Sequence, residues 1–306
     1  MFSGNKKVQL MVTSQPVGIK KKDWLDSMPE LGIIADVQPV FVFQKLSADI
    51  TPDVWVKLAR EIYNNFDKAA GFVVLHGADN LLYTSSALSF LLQNLTKPII
   101  FTGSHGLDTK KQEVRANLIN ATQGATSGLN EVALMFGNRL LRANIASQGI
   151  EESLNIFTTP INGVLGRIDF SIRIFDQAIT KNKGKVRLFD KINDKVEIIQ
   201  SSPVINLKAL AKRVTDKEGI IVNMSNYQDL PQDLMFFLEK ITTDIPVIVW
   251  TNQPQVKILA PKNVLLINNL TWETTVVKFM WVLGQTKSIK QIKELMGKEV
   301  AGEIIE

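Results

Sequence analysis

The sequence contains no cysteine. That absence excludes a disulfide framework, a thiolate zinc site and a cysteine nucleophile. Histidine is almost missing too: only His76 and His105 occur, which excludes a His-rich metal site. No stretch reaches the roughly 20 apolar residues of a membrane-spanning helix. The first residues, MFSGNKKVQLMVTS, carry two lysines and an apolar run too short for a secretion signal. The expectation is a cytoplasmic protein. No internal repeat or low-complexity tract is present.

What is there fits a folded enzyme-sized chain. Its 306 residues suggest two domains of ordinary size. Hydrophobic residues make up 45% and charged residues 21%, enough apolar side chain for a sizeable core. The formal charge is +5. Excess positive charge raises the question of nucleic acid, but the basic residues are dispersed. The one tight run, Lys20-Lys21-Lys22, reads as a solvated loop. No nucleic-acid module is recognisable, so no nucleic-acid partner is expected.

The most informative stretch is Phe72–Ser104. Phe72–Leu75 is a short apolar run of the kind buried on both faces of a sheet. His76-Gly77-Ala78-Asp79-Asn80 is a turn, with Asp79 or Asn80 placed to cap a following helix. Leu81, Leu88, Leu91, Leu92 and Leu95 recur at helical spacing, and Lys97-Pro98 would stop that helix. Ile99–Thr102 starts the next strand. This βαβ pattern predicts parallel strands with a right-handed crossover. Open parallel sheets bind ligands at the carboxyl ends of their strands, here His76–Asn80 and Thr102–His105.

The remaining chain extends the pattern. Val8–Val12, Phe41–Phe43 and Glu131–Phe136 read as strands. Thr51-Pro52 opens a helix through Phe66, and Asn117–Thr126 reads as another, leaving at Gly128. Residues 173–202 alternate apolar and charged side chains and read as edge strands and linker. They separate an N-terminal domain, 1–172, from a C-terminal domain, 203–306. In the latter, Gly219–Met224 and Pro246–Trp250 read as strands. Asp229-Leu230-Pro231 opens a helix through Lys240, and Trp272–Leu283 and Ser288–Met296 are further helices.

The quoted segment resembles the second signature of the bacterial-type L-asparaginases, in particular the type I cytoplasmic branch. That signature reads HGTDTM-x-YTASALSF, then NL-x-KP and TGS. This chain has His76-Gly77-Ala78-Asp79-Asn80, Tyr83 to Phe90 as YTSSALSF, Asn94 to Pro98 as NLTKP, and Thr102-Gly103-Ser104. More thinly, Asn269-Leu270-Thr271-Trp272-Glu273 is similar to the family's DMT-x-EA segment, and Gly302-Glu303 to its terminal Gly-Glu. The resemblance implies an α/β, two-domain asparaginase-like fold: a larger N-terminal parallel-sheet domain and a smaller C-terminal α/β domain. An archaeal tRNA-dependent amidotransferase subunit shares this fold but carries an extra N-terminal domain. This chain begins directly at the first strand, so the expectation favours the asparaginase branch.

The resemblance also implies a mechanism. Asparaginases use a threonine nucleophile and an acyl-enzyme. A Thr-Lys-Asp set handles the proton, a Tyr on a lid assists, and backbone N–H groups hold the oxyanion. Carried over residue by residue, the nucleophile of the family's ATGGTI motif falls on Pro16, within Val12-Thr13-Ser14-Gln15-Pro16-Val17. The second Thr falls on Ala78. The Lys falls on Gln148, with Asn138 to Asn144 aligned to NRL-x-RGN. The lid Tyr is absent, because the first Tyr is Tyr63. Ser47, in Ser47-Ala48-Asp49, matches the carboxylate-gripping Ser, Asp79 the amino-gripping acid, and Gly77 part of the oxyanion turn.

Removing one member of a catalytic unit usually costs orders of magnitude in rate. The expectation is therefore an asparaginase homologue that has lost most of its catalytic residues. It would bind a small amino acid such as aspartate or asparagine through Ser47, Gly77 and Asp79, or serve as a structural subunit. Ser47 and Asp79 also have plainer readings, as turn residue and helix cap. Two alternatives stay open. One is an active amidohydrolase with a relocated hydroxyl, Thr13 or Ser14 near the nucleophile position, or Thr84, Ser85 or Ser86 in the following helix. The other is an interaction module on the same fold. No metal or cofactor is implied. The family's habit implies a homo-oligomer, dimer or tetramer, or pairing with an active paralogue. His76 reads as satisfying backbone groups beneath the turn. His105 reads as a surface or pocket-rim residue, and Trp272 and Glu273 as packing and capping residues.

Overall fold

A computed structural model describes residues 6–14, 28–103, 111–149, 156–169, 171–178, 184–225, 229–241, 245–256 and 264–305. The chain divides into two compact units, residues 1–190 and 191–306. The fold is mixed α/β, with a large sheet in which parallel pairing dominates.

In the first unit β1 is Lys7–Ser14, α1 Pro29–Ile34, β2 Asp36–Lys45, α2 Pro52–Asn64, β3 Gly71–Leu75 and α3 Leu81–Leu91. There follow β4 (Leu92–Gln93), β5 (Ile99–Thr102), α4 (Lys111–Ala125), β6 (Val132–Phe136), β7 (Arg139–Arg142), β8 (Ser147–Gln148) and β9 (Phe157–Thr158). The unit closes with β10 (Val164–Ile168), β11 (Ile172–Ile174) and β12 (Arg187–Leu188). Eight of these strands form one sheet in the order β11-β10-β7-β6-β5-β3-β1-β2. Neighbours from β2 to β6 run parallel. β7, β10 and β11 pair antiparallel at the far side.

Both faces of the central strands are buried, as near-continuous apolar runs require. Val8, Leu10, Val12, Val73, Leu75 and Ile100 pack in one core cluster with Leu118, Ala121 and Ala125 of α4 and Leu31 of α1. The alternate positions Met11, Phe72, Val74, Ile99 and Phe101 are equally buried, as are Leu58 and Ile62 of α2 and Leu88 and Leu91 of α3.

In the second unit β13 (Val196–Gln200), α5 (Leu207–Arg213), β14 (Gly219–Ser225), α6 (Gln232–Ile241), β15 (Val247–Thr251), β16 (Val264–Ile267), α7 (Trp272–Gln285) and α8 (Ile289–Gly297) follow in order. The four strands make a parallel sheet in sequential order. Among the described residues no helix is long and apolar enough to cross a membrane.

The strands and helices expected from the sequence appear with shifts of a few residues, the largest at α4, which starts at Lys111 rather than Asn117, and three details differ. First, α3 ends at Leu91 rather than continuing to Lys97-Pro98. Leu92–Gln93 leaves the helix to pair antiparallel with Arg187–Leu188, and Asn94 takes a left-handed φ of 57°. Leu92 and Leu95 are buried, so their spacing reports burial, not helix. Second, neither Asp79 nor Asn80 caps α3 through its side chain. Thr51 precedes Pro52 at the start of α2 as expected, yet its hydroxyl donates to the Asp53 carboxylate instead of capping. Third, the cap of α7 is Thr271, whose hydroxyl accepts from the Thr274 N–H, rather than Trp272 or Glu273.

Candidate functional site

The carboxyl ends of β2, β1, β3 and β5 lie side by side. Ser14 is in register with Lys45, Val12 with Leu75, and Leu75 with Thr102. The segments that leave these ends therefore converge: the 3-10 turn Ser47–Asp49 after β2, the turn 76–80 after β3, and Gly103 after β5. This is the edge at which an open parallel sheet presents a ligand crevice.

The turns after β2 and β3 are joined by polar side chains. Ser47 is buried, and its hydroxyl donates to Asp79 Oδ2 at 2.9 Å. Asn80 Nδ2 donates to the carbonyls of Ser47 and Ala48, each at 3.2 Å. Gly77 makes this approach possible, since a Cβ there would lie 2.3 Å from Ser47 Oγ. On the other side, a Cβ on Gly103 would lie 1.9 Å from the His76 carbonyl oxygen. Asn117, buried on α4, holds that strand end: its amide donates to the Gly103 carbonyl at 2.9 Å and accepts from the Gly137 N–H at 3.0 Å.

His76 lies beneath the turn, 1% exposed. Its Nδ1 is 2.6 Å from the Gly77 carbonyl and its Nε2 is 3.0 Å from Thr84 Oγ1. A carbonyl only accepts, so Nδ1 carries the proton. Burial pushes the His76 pKa down to about 4, so the ring is neutral at pH 7 and Nε2 is an acceptor facing the Thr84 hydroxyl, whose one proton also lies within reach of the Asn80 carbonyl at 3.0 Å. Thr84 Oγ1 in turn accepts from Trp55 Nε1 at 3.1 Å. Both ring nitrogens face polar partners of the turn and of α3, which makes His76 a support for the turn.

The other sequence candidates are dispersed. Thr13 is fully buried, and its hydroxyl donates to the Leu75 carbonyl at 2.9 Å. Ala78 is half-buried and presents a methyl group. Gln148 is exposed on the small ribbon formed by β8 and β9. The backbone of Ser14 ends β1. Pro16, Gln15, His105, Ser104 and Lys20-Lys21-Lys22 lie outside the described residues. Among the described residues no group of three or more His, Asp or Glu is arranged to hold a metal ion.

Sequence reasoning missed the bonding of Asn80 and the parts of Thr84, Trp55 and Asn117. Asn before a helix was a visible signal, but local rules assign it to a cap. It also missed a buried pair in the second unit, Lys278 Nζ to Glu303 Oε1 at 2.6 Å, with neither side chain exposed.

Comparison with known proteins bears on this geometry. A family model described as "Asparaginase, N-terminal" matches residues 4–180. The chain is 28% identical over 308 residues to a glutamyl-tRNA(Gln) amidotransferase subunit of Pyrococcus furiosus, covering 91% of this chain and 69% of that protein. It is 28% identical over 275 residues to L-asparaginase 1 of Escherichia coli, covering 84% of this chain and 81% of the relative. The crystal structure of L-asparaginase I from Vibrio cholerae superposes with a TM-score of 0.84 at 27% identity, covering 98% and 99% of the two chains.

Proposed function

The chain belongs to the asparaginase family, and on that premise we propose that it keeps the family's grip on an amino acid without the hydroxyl chemistry of amide hydrolysis. The observation that carries this reading is the bond from Ser47 Oγ to Asp79 Oδ2 at 2.9 Å, beside a methyl group at Ala78. A hydroxyl donor and a carboxylate side by side suit the carboxylate and ammonium groups of a small amino acid such as aspartate or asparagine. Three further points support the absence of turnover. Ala78 has no hydroxyl to offer. The Thr13 hydroxyl is committed to the Leu75 carbonyl in a fully buried position. An amide such as Gln148 is no base at physiological pH.

The test has two arms. Asparagine and glutamine are incubated with the protein and ammonia is measured. No enzyme-like release is expected. Release that disappears in Thr13→Ala or Ser14→Ala sinks the reading in favour of a relocated nucleophile. Aspartate, asparagine, glutamate and glutamine are then screened by thermal shift. A ligand at a hundredfold its Kd stabilises by about 2.7 kcal/mol, several degrees in Tm for a unit of this size. If none of the four moves the Tm, the amino-acid grip is refuted.

A second reading is favoured by the relative named as an amidotransferase subunit. In it this chain is one subunit of an assembly, with itself as dimer or tetramer or with an active paralogue, in the cytoplasm. Light scattering on the purified chain tests the homo-oligomer, which a monomeric mass excludes. Co-purification of a paralogue from the native source tests the other arrangement.

A further inference from the structure

We propose that Asn80 is a positioning residue: it sets the spacing between Ser47 and Asp79 by tying the 3-10 turn after β2 to the turn after β3. The inference rests on the amino-acid grip proposed above and adds to it the element that holds the two gripping residues at a fixed distance.

The backbone of Asn80 has φ 53° and ψ 8°, in the left-handed region. Asn and Gly tolerate that region, whereas a β-branched residue does not. At the residue before a helix, an Asn side chain normally accepts from the N–H groups of the first turn. Asn80 makes no such bond. Its amide donates instead to the carbonyls of Ser47 and Ala48, both at 3.2 Å. Both partners are acceptors, so only the amide nitrogen can face them, and each of its two protons has a partner.

The consequence appears when a ligand binds. A serine hydroxyl has one proton to donate. In the structure Ser47 gives it to Asp79. A ligand carboxylate that takes the proton breaks that link, and a ligand ammonium then occupies Asp79. The bonds from Asn80 involve neither the hydroxyl nor the Asp79 carboxylate. They hold the two turns together in both states. Gly77, pressed against Ser47, limits how closely the turns approach, and Asn80 limits how far they part.

Two variants separate donor from backbone. Asn80→Gly keeps the left-handed conformation and removes the donors. Asn80→Asp keeps the size and replaces the donors with acceptors. Hydrogen exchange on the ligand-free protein reads the tether itself. The amides of Asp49 and Ile50, bonded to the carbonyls of Leu46 and Ser47 at 3.0 and 3.3 Å, should exchange about tenfold faster in both variants. Exchange in β3 should stay unchanged. Unaltered exchange at residues 49 and 50 overturns the inference. Titration calorimetry with aspartate then reads the positioning. Affinity should fall about tenfold in either variant, and by clearly less in a Ser47→Ala background, since Asn80 acts through Ser47. An unchanged Kd, or full additivity with Ser47→Ala, also overturns it. If the unmodified protein binds no aspartate, the amino-acid grip fails, and the exchange measurement alone decides whether Asn80 is the tether.

Discussion

Replacing Glu303 with alanine tests how the second unit holds its C-terminal segment. The Lys278 ammonium reaches Glu303 Oε1 at 2.6 Å, the Lys298 carbonyl at 2.7 Å and the Met296 carbonyl at 3.0 Å. Glu303 also accepts from the Val300 N–H at 3.0 Å and the Ala301 N–H at 2.7 Å. Both side chains are fully buried. Glu303→Ala leaves an ammonium without its counter-charge and removes the carboxylate that accepts from two backbone N–H groups. Breaking one half of a buried pair costs about 3–5 kcal/mol, and a stranded N–H about 1–3 kcal/mol more where water does not reach it. The expected loss at pH 7 is at least ~3 kcal/mol by those measures.

The sign of the pH dependence follows. Burial already lowers the Lys278 pKa, and Glu303 opposes that shift. Without Glu303 the folded pKa falls further below the unfolded value. In that window the unfolded chain binds the extra proton, so the stability of the variant rises with pH. Urea denaturation followed by tryptophan fluorescence, repeated from pH 7 to 10, measures both effects. Trp250, Trp272 and Trp281 lie in the same unit and report its unfolding. The double variant Lys278→Met, Glu303→Leu should recover most of the loss, because an apolar replacement of both partners removes the stranded charge. A loss under about 1 kcal/mol in Glu303→Ala, or a double variant no better than the single one, refutes the reasoning.

Three further outcomes are expected. His76 is neutral in the fold with a pKa near 4, against 6.5 when exposed, so stability is complete above pH 6.5 and falls as pH drops towards 4. The loss across that window is roughly 3 kcal/mol and should be absent from His76→Gln, as acid titration of the Tm would reveal. Gly103→Ala places a methyl 1.9 Å from the His76 backbone oxygen, so strands β3 and β5 must part; denaturation should report a loss of more than about 1 kcal/mol, and an unchanged midpoint contradicts the packing. Ala78→Thr adds one hydroxyl to the site, and on the proposed reading the ammonia assay should stay silent because one member of a catalytic unit does not act alone; enzyme-like release from this single change refutes that view.

Much of the scaffold was legible in the residues. Phe72–Leu75 and Ile99–Thr102 are apolar runs bounded by turn residues, and they lie within a residue of β3 and β5. Their length and the helix between them are enough to imply a parallel pair. The second unit was legible for the same reason, with Gly219–Met224 inside β14 and Trp272–Leu283 inside α7. The end of α3 was not. Leu92 and Leu95 continue the apolar spacing, but Arg187–Leu188, far along the chain, captures Leu92–Gln93 as a strand. Local periodicity contains no information about that partner.

The site divides in the same way. That residue 78 has no hydroxyl, that 148 has no amine and that a Ser and an Asp stand at the two strand ends follows from the amino acids alone, since side-chain chemistry is a property of each residue. Which bonds those side chains make does not. Asp79 and Asn80 both qualify as caps by local rules, and only the approach of the turn 32 or 33 residues earlier turns them toward Ser47 and Ala48. Thr13 is a free hydroxyl in the sequence and a committed donor beside Leu75 in the sheet. The sequence by itself determined most strands and helices and the side-chain chemistry available at each position, because these depend on short-range pattern and composition. Only the tertiary structure decided where the polar groups spend their hydrogen bonds, because that depends on which distant segments the buried sheet brings together.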